Sequence, residues 1–124
     1  MCDCYSSRSR EYDLRDLYLG GYKQGKLRYV LTKYPNAEDK VFNDLHLWIK
    51  RLMLDGQDAM SEVMLYIDKN PDCILICDEI GNGIVPIDRF EREYREQVGR
   101  ILIEVAKRAD RVERITCGIG QRIK

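Results

Sequence analysis

With 124 residues and 21 basic against 21 acidic side chains, the chain has room for one compact domain and carries no formal net charge. That balance excludes a nucleic-acid module held by overall positive charge, although a small anion needs only a local site. Apolar content of 44% is ordinary for a globular protein, and no apolar run approaches the roughly 20 residues that span a bilayer.

Residues 1–13 are polar and charged, without periodicity, and read as an N-terminal arm ahead of a single α/β domain over 14–124. They lack the apolar core of a signal peptide, so a cytoplasmic address is expected. Cys2 and Cys4 form a C-x-C pair, but a metal site built on it needs further ligands and the sequence has no second cluster. They read as free thiols.

Leu14, Leu17, Tyr18 and Leu19 predict a short strand. A glycine-rich stretch over 20–26 follows, then a helix over 27–34 that Pro35-Asn36 stops. Leu45, Trp48, Ile49, Leu52 and Met53 make a helical stripe over 44–54. Asp55-Gly56 turns the chain, and Met60, Val63, Met64 and Ile67 recur at helical spacing within 57–69. Residues 73–77 form an apolar strand on which Cys73 and Cys77 face the same side as small buried hydrophobes.

Asp88 is placed to cap a long helix whose buried face is Phe90, Tyr94, Val98, Ile101, Leu102 and Val105. Arg95 and Arg100 on that helix pair most simply with nearby glutamates, and Gly99, costly inside a helix by about 1 kcal/mol, suggests close packing. Residues 112–117 are the next strand, ending in Cys117, and a turn with a short strand closes the chain. Strands separated by helices imply an α/β fold with a small, mainly parallel sheet of about three or four strands. Such a sheet needs cover on both faces, so self-association is expected.

Two motifs carry chemistry. Residues 20–27 read G-x-x-x-x-G-K-L, against the phosphate-loop pattern G-x-x-x-x-G-K-[ST] between a strand and a helix. Gly20, Gly21, Gln24 and Gly25 would let backbone N–H groups curl around phosphate oxygens, and Lys26 would reach the outer phosphates. The hydroxyl position that holds Mg²⁺ is Leu27, which cannot ligate a metal. The second motif is the strand ending in Asp78 and Glu79, followed by Gly81, Gly83 and Pro86. Carboxylates at the C-terminal end of a buried strand are how open α/β sheets build metal and phosphate sites. A solvated acidic turn is the plain alternative.

The stretches Asp78-Glu-Ile-Gly-Asn-Gly-Ile-Val-Pro86, Tyr94-Arg-Glu-Gln-Val-Gly-Arg100 and Gly118-Ile-Gly-Gln-Arg-Ile-Lys124 resemble the bifunctional adenosylcobinamide kinase/adenosylcobinamide-phosphate guanylyltransferases of cobalamin biosynthesis. The resemblance is close from Cys73 onward and fragmentary before it. The loop keeps both ends of the family's Gly-Gly-x-x-Ser-Gly-Lys-Ser, and residues 43–53 keep the apolar framework of Asp-Cys-Leu-Thr-Leu-Trp-Leu-Thr-Asn-Leu-Leu. Within that framework Asn43 stands at a carboxylate position, His46 at a threonine and Arg51 at an asparagine. The segment that bears the family's guanylylated histidine is absent between the loop and residue 43, and the sole histidine, His46, lies elsewhere. A lone histidine on a helix beside Trp48 is more often a surface or half-buried residue than a catalytic one.

The resemblance implies a shortened three-layer, P-loop NTPase-like sandwich that binds GTP or ATP with Mg²⁺. Residues 20, 21 and 24–27 would bind nucleotide, and Asp78 and Glu79 would be catalytic, with Asp78 the metal ligand. Adenosylcobinamide would be the substrate and a homo-oligomer the working form, without a guanylyl-histidine step. Three readings stay open at this point: a family member with reduced or lost catalysis, a non-catalytic scaffold that keeps the fold, and a kinase for another small alcohol.

Overall fold

A computed structural model describes residues 14–21, 24–80 and 88–124. In chain order the elements are β1 (Leu14–Gly20), α1 (Lys26–Lys33), a 3-10 turn (Glu38–Lys40), β2 (Val41–Phe42), α2 (Leu45–Leu54), α3 (Ala59–Lys69), β3 (Ile74–Asp78), α4 (Arg89–Arg108), β4 (Ala109–Thr116) and β5 (Ile119–Arg122). The sheet runs β2-β3-β1-β4-β5. The first four strands are parallel, and β5 returns antiparallel on β4.

Strand alternation assigns the two faces of the sheet. Leu17, Leu75, Cys77 and Val112 pack with Leu45, Ile49, Val63, Ile67, Tyr94, Val98, Ile101 and Val105 from α2, α3 and α4. Tyr18, Ile74, Ile76 and Ile115 face the other way, against Val30 of α1. The result is a three-layer α/β sandwich with a mainly parallel sheet.

The layers are unequal. Three helices cover one face, whereas α1 on the other has eight residues. Polar side chains fill much of what that short helix leaves. Buried Asp16 accepts hydrogen bonds from the hydroxyls of Tyr18 (2.6 Å) and Tyr34 (2.5 Å). Buried Glu113 accepts from Tyr29 (2.7 Å), from Lys33 (2.5 Å) and from Arg111. Among the described residues no buried side-chain polar atom lacks a partner, as a low-dielectric interior requires.

Local chemistry sets the element ends. Asp58 caps α3 by accepting from the Ser61 N–H, so that helix starts at Ala59 rather than Gln57. Asp88 accepts from the Phe90 N–H at 3.0 Å and opens α4 as expected. Residues 117 and 118, at φ 53° and 76°, form a two-residue β4–β5 turn with Thr116 paired to Ile119. Two consecutive positive-φ residues match the twist of a tight hairpin.

Three expectations are corrected. The sheet has five strands rather than three or four, because Val41–Phe42 adds a two-residue edge strand too short to leave a period in the sequence. Strand β4 begins at Ala109, since α4 passes into it without an intervening loop. Gly99 is not closely packed: a Cβ there would meet nothing within 4 Å. Gly81, Gly83, Pro86 and the arm with Cys2 and Cys4 lie outside the described residues. Cys73 and Cys77 are buried, and burial pushes each thiol up to about 12. No helix among the described residues is long and apolar enough to cross a membrane.

Candidate functional site

Register places the two motifs side by side. Gly20 ends β1 and Asp78 ends β3, and the two residues are paired neighbours. The Glu79 N–H continues the ladder to the Gly20 carbonyl at 2.8 Å. A Cβ on Gly20 would lie 2.5 Å from the Ile115 carbonyl oxygen, so the backbone of β4 requires glycine there. Gly25, at φ 82°, turns the loop into α1, a conformation glycine adopts without steric cost.

Lys26 is the first residue of α1, and its side chain is 8% exposed. Its Nζ lies 2.6 Å from Asp78 Oδ1 and donates to the Gly21 carbonyl at 2.8 Å. The expected phosphate-binding lysine and the expected carboxylate therefore form a nearly buried ion pair.

His46 occupies the other side of the same carboxylate. It sits in the first turn of α2, and its backbone carbonyl accepts from the Tyr94 hydroxyl at 2.9 Å. Burial pushes the Tyr94 phenol up to about 12, which keeps it a donor. The Asp78 backbone N–H donates to His46 Nδ1 at 3.2 Å. Nδ1 is thus the acceptor nitrogen, and the proton of the neutral ring resides on Nε2. Nε2 faces Asp78 Oδ2 at 3.3 Å. Burial lowers the imidazole pKa, outweighing the attraction of Asp78 and Asp44, and this favours the neutral ring. Both ring nitrogens face Asp78, so His46 presents neither to a substrate. His46 is thus buried inside the site, between α2 and the end of β3.

Asp44, His46 and Asp78 each bring one ligand-type atom within 4.8 Å of the others, which invites a cation. The donor chemistry does not fit a resident Mg²⁺. Asp78 Oδ1 is held by Lys26, and Asp78 Oδ2 faces the protonated His46 Nε2. Leu27, at the hydroxyl position, is 40% exposed and offers no oxygen. Mg²⁺ takes oxygen ligands in a near-octahedral shell.

The two adjacent carboxylates diverge. Glu79 forms a two-pronged pair with Arg114, at 3.0 Å to Nε and 2.8 Å to Nη2. It is not brought onto Lys26, and its carboxylate fastens β3 to β4 across β1. Gln24 also has a role that its loop position did not reveal. Its side-chain oxygen accepts from the Cys117 N–H (2.6 Å), and its carbonyl accepts from the Gly118 N–H (2.9 Å). The loop is therefore clasped to the β4–β5 turn.

Two cavities flank the loop. One of about 520 Å³ is lined by Lys26, Leu27, Arg28, Asp44, His46 and Asp78. The other, about 710 Å³, lies between α1 and the β4–β5 turn, with Tyr29, Lys33 and Cys117 in its wall. Gln24, Gly25 and Arg28 line both. Arg100 is on the exposed face of α4, paired with Glu96 one turn away.

Comparison with known proteins places the chain in a family. A family model described as cobinamide kinase / cobinamide phosphate guanyltransferase matches residues 17–123. The bifunctional adenosylcobalamin biosynthesis protein CobU of Salmonella typhimurium (strain LT2) is 41% identical over 86 residues, 66% of this chain and 46% of that protein. The protein of the same name from Escherichia coli (strain K12) is 39% identical over 51 residues, 41% of this chain and 28% of that protein. The chain thus spans less than half the length of the curated relatives it matches. The matching family model reaches from β1 past β5 and includes the Lys26–Asp78 pair; the chain belongs to the cobinamide kinase / cobinamide phosphate guanyltransferase family.

Proposed function

We propose that this chain binds the phosphates of a purine nucleoside triphosphate, GTP or ATP, at Gly20, Gly21 and residues 24–27, as a divergent participant in cobalamin biosynthesis or salvage with reduced or lost catalysis. The observation that carries the reading is the placement of Lys26 beside Asp78, at adjoining strand ends and on the wall of a cavity large enough for phosphate groups. The neighbouring cavity shares Gln24, Gly25 and Arg28 with it, and offers room for the nucleoside beside Tyr29. Cobinamide is the substrate class the family description suggests, with adenosylcobinamide the form the sequence resemblance implies, and a homo-oligomer is the assembly that the thin second face suggests.

Reduced catalysis follows from the departures already described. Leu27 offers no hydroxyl, and Glu79 is engaged with Arg114. A guanylyl-histidine step has no candidate, since His46 turns both nitrogens to Asp78.

A scaffold role is the second reading, favoured by the Lys26–Asp78 pair itself. That pair makes the loop self-sufficient without any anion. Calorimetric titration with GTP and with ATP, for the wild type and Lys26→Ala, separates the two. Micromolar binding that Lys26→Ala abolishes supports the nucleotide reading. No heat with either nucleotide from a folded protein defeats it and favours the scaffold. If nucleotide binds, phosphorylation of cobinamide and of other small alcohols is the next assay.

A further inference from the structure

The geometry points to a phosphate site that takes its nucleotide without a divalent cation, with Asp78 serving as the fixed counter-ion of Lys26 rather than as a metal ligand. The inference rests on the nucleotide-binding reading above.

An ammonium group has three N–H donors. Lys26 uses two of them, on Asp78 Oδ1 at 2.6 Å and on the Gly21 carbonyl at 2.8 Å. The third is left for a phosphate oxygen, so Lys26 need not release Asp78 when an anion arrives. The other oxygen of Asp78 is held from the opposite side. The Asp78 N–H fixes the imidazole so that Nε2–H points at Oδ2. One acceptor site on each oxygen is thereby taken, and the ammonium and the Nε2–H both oppose a second cation at this carboxylate.

The remaining oxygen ligand of a phosphate loop is the hydroxyl after the lysine. Here that residue is Leu27, exposed on the cavity wall. Asp44 is left as the carboxylate beside the site without a described partner at Lys26 or His46, and a Mg²⁺ held by it and by phosphate oxygens would compete with Lys26 for those oxygens. Positive charge for the phosphates comes instead from Lys26 and Arg28 on the cavity wall, and from the start of α1.

The test is calorimetric titration of the whole chain with GTP and ATP, once with excess Mg²⁺ and once with EDTA. The variants are Asp78→Asn and Leu27→Ser. The inference expects wild-type dissociation constants that agree within about twofold between the two media. It also expects Asp78→Asn to bind more tightly in both, because an anionic ligand loses a like charge beside Lys26. Wild-type binding weakened about tenfold or more by EDTA overturns it. So does an Asp78→Asn variant that loses affinity only when Mg²⁺ is present.

Asp78→Asn leaves Lys26 uncompensated and is the variant at risk of misfolding. Leu27→Ser, at an exposed position, keeps the question decidable. Mg²⁺ dependence gained in that variant and absent from the wild type supports the inference. Dependence of equal size in both overturns it. Binding only with Mg²⁺ defeats this inference alone, whereas no binding in either medium defeats it together with the nucleotide reading.

Discussion

The hydroxyl of Tyr29 occupies the space that a side chain at Gly120 would take. A Cβ on Gly120 would lie 2.2 Å from that hydroxyl and 2.7 Å from Glu113 Oε1. The contact joins α1 to β5 through the buried carboxylate of β4. Tyr29 cannot swing aside without leaving Glu113, to which it donates at 2.7 Å. Gly120→Ala is therefore expected to cost about 1–3 kcal/mol through overpacking. Urea unfolding against the wild type measures it, and an unchanged midpoint would show that Tyr29 moves freely.

Gly99 predicts the opposite sign. It lies within α4 and a Cβ there would meet nothing within 4 Å. Alanine removes backbone freedom from the unfolded chain, so Gly99→Ala should stabilise by about 0.5–1 kcal/mol. A destabilised variant in the same unfolding assay would mean that some other group presses on this side of α4 in solution.

Glu113 links stability to pH. Burial opposes its ionisation, but hydrogen bonds from Lys33, Tyr29 and Arg111 outweigh that and bring the carboxyl down to about 2 from its ordinary 4.5. A depressed folded-state pKa means that the unfolded chain binds the proton first. The contribution, on the order of 3 kcal/mol, is fully present above about pH 4.5 and fades as pH falls toward 2. Glu113→Gln should be less stable than the wild type at neutral pH, with the gap closing in acid. His46 acts in the same direction at higher pH: its folded pKa is lowered, so the unfolded state gains a proton advantage as pH falls below about 6.5. Parallel stability–pH curves for wild type and Glu113→Gln would refute the Glu113 linkage.

Asp88 accepts from the Phe90 N–H at the start of the 20-residue α4. Asp88→Ala should cost about 1 kcal/mol, as loss of an N-cap usually does. Thermal unfolding by circular dichroism reads the shift. No change would mean that another group takes over the first turn.

The thiols of the described residues divide by burial. Cys117 lies exposed in the β4–β5 turn, while Cys73 and Cys77 are buried with thiols raised to about 12. Alkylation of the native protein followed by peptide mapping should label Cys117 and spare the other two until denaturant is added. Early labelling of Cys77 would place the open end of β3 in solvent.

What was legible in the sequence follows from what leaves a period or a pattern. The apolar stripes of α2, α3 and α4 marked those helices, because each buries one face against the sheet. Lys26 and Asp78 could be named because the loop and the strand-end acid each have a local signature; their 2.6 Å contact was not legible, and their role is left to experiment. Strand β2 was invisible, since two residues make no alternation. The divergence of Asp78 from Glu79 was also hidden, because it depends on Arg114 and His46, far away in the chain. The position of His46 carried one hint, a ring where the family has a small hydroxyl. Gln24 carried none, because its partners lie in the β4–β5 turn.

The strand order also bears on how the molecule assembles. Strand β1 lies in the middle of the sheet, with Asp16 opposite Ile74 on one side and Arg111 on the other. Both neighbours are distant along the chain, so the ion pair at residues 26 and 78 closes only after a large loop has closed. Such contact order slows the search for the native state. The helical layer over residues 45–69 can form from nearby contacts, while the first strand waits for partners much later in the sequence. In the interval its apolar residues and unpaired backbone are open to wrong pairings. Folding yield should therefore fall with protein concentration more steeply than the small size of the chain suggests.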